Sequence, residues 1–116
     1  MSMSNDATPP IGLADGEVLS IDRHGTSVVV TYRCWDDRTL RAAFVGVVGL
    51  CDLGAHELAR VALGRSESLF FCDVCKRHWV GDPPPNIMCF RFFDPDDQAV
   101  LEVVATGVEY TIEPAA

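Results

Sequence analysis

Cys72, Cys75 and His78 stand in the spacing Cys-x2-Cys-x2-His. A turn through them would aim two thiolates and an imidazole at one soft cation such as zinc. Cys89, beyond a run of prolines, is the candidate for a fourth ligand. Zinc held by Cys72, Cys75, His78 and Cys89 would fasten the intervening excursion to the rest of the fold and serve stability rather than catalysis. Structural zinc usually draws on two ligand pairs, and only one pair is evident here. The competing reading makes Cys72 and Cys89 small core residues on strands and leaves Cys75 and His78 incidental. An extended strand through the segment would turn Cys72 and Cys75 to opposite faces, so a shared metal requires a bulge or a turn. Redox use of Cys-x2-Cys draws on a helix N-terminus after a strand, and Lys76-Arg77 precedes no evident helix.

Two carboxylate clusters, Asp36-Asp37 and Asp94-Pro95-Asp96-Asp97, could gather a calcium ion, but neither has the spacing of an EF-hand loop. Turn formation accounts for both, since Asp and Pro each favour turns through their own local geometry. Other chemistry is harder to find. No nucleophile lies beside a base, and neither a Gly-rich phosphate loop nor a His-Glu-x-x-His helix is present. His24 falls in an expected turn and His56 near an expected helix start, where solvated or hydrogen-bonded histidines are ordinary. The residues therefore point to a protein that is not an enzyme and needs no cofactor, with structural zinc as the alternative.

Charge narrows the partners. The chain carries 17 acidic against 9 basic residues, a net charge of -8, and such a field repels phosphate backbones. Nucleic acid is thus excluded as an expectation, while a basic protein would be steered in. The longest apolar stretch, Ala42 to Cys51, is interrupted by Gly46 and Gly49 and is far shorter than the roughly 20 residues a bilayer requires. No membrane segment is expected. Residues 1–10 show neither the charge nor the apolar core of a secretory signal and read as a flexible tail, which implies a cytoplasmic protein with reduced thiols. The five cysteines cannot all pair within one chain. The oligomeric state is not written in the sequence.

The elements that must position these residues are short. At 116 residues, with 48% hydrophobic and 22% charged side chains, the chain suits one domain over 11–116 with a single core. Leu19 and Ile21 alternate with Ser20 and Asp22 before a turn at His24-Gly25-Thr26, and Val28, Val30, Tyr32 and Cys34 repeat the alternation. Thr39 to Val48 is apolar on both faces, as in a central strand. Ala55, Leu58, Ala59 and Ala62 recur at helical spacing between Asp52 and Gly64, which predicts a short helix from Ala55 to Leu63. Glu67 to Trp79 reads as a strand or a loop. Pro83-Pro84-Pro85 must cross the surface, because three successive residues lack the amide donor. Ile87 to Phe93 and Ala99 to Thr106 flank the Asp94–Asp97 turn as a hairpin, and Val108, Tyr110 and Ile112 mark a final strand.

The opening carries a resemblance. Gly12-Leu13-Ala14-Asp15-Gly16-Glu17-Val18-Leu19-Ser20-Ile21, with Phe44-Val45-Gly46-Val47 further on, resembles small bacterial domains. Their first strand begins with a Leu-His-Asp-Ala-Glu-Val-Leu-Ser-Ile type motif, and their third carries Phe-x-Gly-Val. Some of these domains are immunity proteins of polymorphic toxin systems. Asp15, Glu17, Leu19 and Ile21 match, whereas Ala14 stands in place of the His, so any ligand role of that His is absent here. The likeness spans about the first fifty residues. It implies a protein that neutralises a partner by binding it.

Together these readings predict an α+β, mostly β fold, with a curved antiparallel sheet or sandwich-like core of about six strands and one short helix. The expected function is non-catalytic binding of a basic protein through Asp36, Asp37, Asp94, Asp96 and Asp97.

Overall fold

Period-two burial is clearest along Thr39–Val45 and Gly107–Glu113. A computed structural model describes residues 8–115, so most of the expected tail over 1–10 lies outside the described residues. The strands are β1 Glu17–His24, β2 Ser27–Arg33, β3 Thr39–Val45, β4 Gly49–Asp52 and β5 Arg60–Gly64, followed by helix α1 Leu69–His78, then β6 Met88–Phe93, β7 Ala99–Ala105 and β8 Gly107–Glu113. They form two antiparallel four-stranded sheets with orders β1-β2-β3-β8 and β4-β7-β6-β5. The mostly β architecture with one helix is as expected.

The sheets pack face to face. Val28, Val30, Tyr32, Leu40, Ala42 and Phe44 from the first sheet meet Phe90, Phe92, Leu101 and Val103 from the second in one buried cluster. At its centre the Phe44 ring meets Phe90 and Phe92 edge to face, with centroids 5.2 and 6.0 Å apart. This arrangement sets the positive edge of one ring against the negative face of another. Each large side chain buried this way contributes roughly 1.5–3 kcal/mol. Alternation along β6 and β7 sends Cys89 and Val104 to the opposite face, where Phe71, Val74 and Cys75 of α1 cover them. The helix is therefore a third layer, close enough that a Cβ on Gly49 would come within 2.7 Å of Val74 Cγ2.

Three local expectations need correction. Among the described residues eight strands are present where about six were expected. The apolar run Thr39–Val48 is one reason: Gly46 takes φ 62° and ends β3, so the next strand starts at Gly49 in the other sheet. The helix does not lie over Ala55–Leu63. Residues 53–59 form an irregular loop, and Arg60–Gly64 is an edge strand hydrogen-bonded to β6. The alanines there carry helical propensity but little apolar surface, so completing a sheet outweighs it. The helix instead occupies Leu69–His78, inside the segment read as strand or loop. Its local support is complete: Ser68 Oγ caps the Phe71 amide at 3.0 Å, and Lys76, Arg77 and His78 face the negative end of the helix dipole.

Candidate functional site

The two acidic turns share one backbone design. In the β2–β3 connection the Asp37 amide donates to Cys34 O at 3.0 Å, and in the β6–β7 connection the Asp97 amide donates to Asp94 O at 2.9 Å. Asp37 and Asp97 occupy the left-handed region at φ 67° and 62°, which Asp tolerates better than most side chains. The carboxylates themselves are not equivalent. Asp36 is paired with Arg38 at 2.6 Å, and Asp97 with Arg60 at 2.6 Å. Asp94 Oδ1 accepts the amides of Asp96 and Gln98 at 3.0 and 2.9 Å, so it serves its own turn. Asp37 and Asp96 are the two of the five left facing solvent without such a partner among the described residues. Partial desolvation raises the Asp36 carboxyl, but hydrogen bonds from Arg38 and its charge outweigh this and hold it below its usual value.

Sequence reasoning missed the loop between these turns. Residues 53–59 are fastened to both sheets. Asp52 Oδ1 accepts the Gly54 and Ala55 amides, Leu53 donates to Val100 O, Val18 of β1 donates to His56 O at 2.7 Å, and Ala59 donates to Phe93 O at 2.7 Å. The buried Tyr32 hydroxyl donates to Leu13 O and also contacts the Leu58 backbone, which locks the chain entry to the same loop. The loop thus presents His56 and Glu57 outward between two depressions. One, about 410 Å³, is lined by Asp94, Pro95 and Asp96; the other, about 290 Å³, by Asp15, Glu17 and Arg33. His56 and Glu57 line both.

One end of the sandwich therefore gathers Asp15, Glu17, Glu57, Asp94 and Asp96 against Arg33 and His56. Glu17 is ion-paired with Arg33 and lies 3.9 Å from His56 Nε2. Arg33 is the last residue of β2 and faces Glu17 in register, so the Cys34–Arg38 turn follows directly on a residue that lines the smaller depression. That turn carries Trp35 with 63% of its surface exposed. In the same turn Asp37 is exposed, while Asp36 is paired with Arg38.

The thiol and imidazole set is arranged differently. Cys72, Cys75 and His78 fall at successive third positions of α1, so Cys72 and His78 are about 9 Å apart along the axis. Cys75 is buried, Cys72 half-buried and His78 exposed. Cys89 lies on β6 with its thiol 3.5 Å from Glu102 Oε1 and 3.7 Å from Ser68 Oγ. Burial pushes this thiol up to about 12, against a small opposing effect from the Ser68 hydrogen bond. Burial raises Cys75 as well. Among the described residues no three His, Cys, Asp or Glu side chains gather as a metal-binding group. The helix brings Cys72 and Cys75 to one groove but leaves His78 and Cys89 apart from it.

Cys89 belongs to a polar knot that the sequence did not reveal. Ser68 Oγ donates to Glu102 Oε1 at 2.6 Å, and Arg91 Nε donates to the same oxygen at 3.1 Å. Ser68 thereby caps α1 and ties it to β7 at once. Ser68, Arg91 and Glu102 are far apart in sequence, so only the sheet register could reveal them.

No family model, curated protein or solved structure matches the chain. Among the described residues no helix is long and apolar enough to cross a membrane.

Proposed function

We propose that this domain is a non-catalytic protein-binding module that captures a basic partner at the loop end of its sandwich, in the manner of the immunity proteins its opening resembles. The observation that carries the reading is the continuity of two acidic depressions across His56 and Glu57, with the exposed Trp35 two residues along the chain from Arg33, which lines one of them. Opposite charge steers the approach, and an aromatic side chain supplies desolvated contact once the partner is seated. The rigid fastening of residues 53–59 supports a preformed surface, which lowers the entropy cost of binding. Asp37 and Asp96 are the acidic-turn residues left available, with Glu57 and Asp15 added from the fold.

The test is affinity capture from the native host at low and high salt, followed by identification of the retained protein and of the product of any adjacent toxin gene. A basic protein should be retained at low salt, released at high salt, and lost from an E57K/D96K double variant. A control reversal on the exposed β1 residue, Asp22→Lys, should keep it. Failure to retain any basic protein, or equal retention by E57K/D96K, would count decisively against this function.

A further inference from the structure

A second groove, about 550 Å³, runs between α1 and the chain crossing that follows it, and it shares no residue with the acidic depressions. Its wall is Phe71, Cys75, Trp79 and Pro83, and its rim carries Arg65 and Lys76. No carboxylate lines it, although the chain has 17 acidic residues. Six of the nine Lys and Arg residues, namely Arg33, Arg38, Arg41, Arg60, Arg77 and Arg91, each meet a carboxylate. Among the described residues only the side-chain cations of Arg23, Arg65 and Lys76 do not, and two of these three face this one groove; the Arg65 amide, not its guanidinium, donates to Glu67 Oε1 at 2.7 Å. Arg65 is held in place by donating from Nη1 to Pro85 O at 3.1 Å, with its guanidinium 5.3 Å from the centre of the Phe71 ring. It keeps further N–H donors for a ligand.

We infer that this groove binds a small organic anion with an apolar body, an alkyl or aryl carboxylate whose chain lies against Phe71 and Trp79 and whose head group sits between Arg65 and Lys76. The volume falls within the range of about 300–1,000 Å³ common for small-molecule sites. The two cations lacking carboxylate partners are the complement such a head group requires. A free carboxylate is favoured over a membrane surface because Phe71 and Cys75 in the wall are buried while Lys76 at the rim is exposed.

The test uses the full chain with Trp35→Phe, which leaves Trp79 as the single tryptophan. Decanoate should change Trp79 emission saturably and slow alkylation of the half-buried Cys72 by iodoacetamide, as mapped by mass spectrometry. Decanol, which has the same chain without the charge, should bind at least roughly tenfold more weakly, and Lys76→Glu should weaken decanoate by about the same factor. Lys76 is exposed, so its variants should fold normally, and Lys76→Gln should give an intermediate loss. Absence of a saturable response, equal affinity for decanol, an unchanged affinity in Lys76→Glu, or a response confined to phosphatidylglycerol vesicles would each overturn the proposal.

Discussion

The two buried regions of this molecule are held by different physics. Between the sheets, Phe44, Phe90 and Phe92 interlock with aliphatic side chains in an apolar interior. Between the second sheet and α1, a smaller apolar cluster is supplemented by the knot of Ser68, Cys89, Arg91 and Glu102. The contrast shows that the sandwich gains cohesion from area, whereas the helix gains position from directed bonds. A ten-residue helix is marginal on its own, so its placement depends on that knot and on the close approach at Gly49.

The sharpest way to break the contrast is at its two centres. Phe44→Ala should cost about 3–5 kcal/mol of unfolding free energy by leaving a cavity between the sheets, measured by urea denaturation. A loss under about 1.5 kcal/mol would mean that the sheets do not depend on this contact. Glu102→Ala should cost less, about 1–3 kcal/mol, because it strands the Arg91 and Ser68 donors. Its distinguishing mark is local: amides of α1 should exchange faster in deuterated water while those of β2 and β3 keep their protection. Uniform loss of protection across both sheets would show that the two regions are one cooperative unit.

A pH series sharpens the comparison further. Cys89 has a folded value near 12 against an ordinary 9.0. The fold thus favours the neutral thiol, and this contribution is complete below the unfolded value and fades as pH rises toward the folded one. Stability should fall by on the order of 1–2 kcal/mol from this group between about pH 9 and about pH 11, and Cys89→Ala should make the decline shallower. Tyr32, Cys34, Cys51 and Cys75 are raised too, so some decline should persist. An identical alkaline slope in Cys89→Ala would remove this account. The smallest effect belongs to the turns: Asp37→Gly should raise the melting temperature slightly, within about 1 kcal/mol, by relieving the left-handed conformation. Asp97→Gly should come out near neutral because it also forfeits the Arg60 pair.

Legibility in the sequence followed the range of the interactions. The strands around Val28–Tyr32 and Tyr110–Ile112, and both acidic turns, are encoded by neighbours a few residues apart. The helix was obscured because Phe70, Cys72 and Val74 fit a period of two while Phe71, Val74 and Cys75 fit a helical face equally well. The Ser68 cap, read together with that face, could have decided the matter. Ala55–Leu63 misled for the opposite reason: its local propensity is helical, but β6 needed a partner strand. The depressions around His56 depend on Val18 reaching the loop from another sheet, a contact that no local pattern announces. The Asp97–Arg60 pair likewise joins residues 37 positions apart, so no local pattern announces it.

The strand order has one more consequence. β3 is completed along its length by β8, with Leu40 opposite Ile112 and Phe44 opposite Val108. During synthesis on the ribosome one edge of Thr39–Val45 stays hydrated and unpaired until β8 has been made and has left the exit tunnel. Such distant pairing slows folding and leaves a nascent edge open to other chains, so overexpression at lower temperature, where translation and collision both slow, should favour the native product over aggregates.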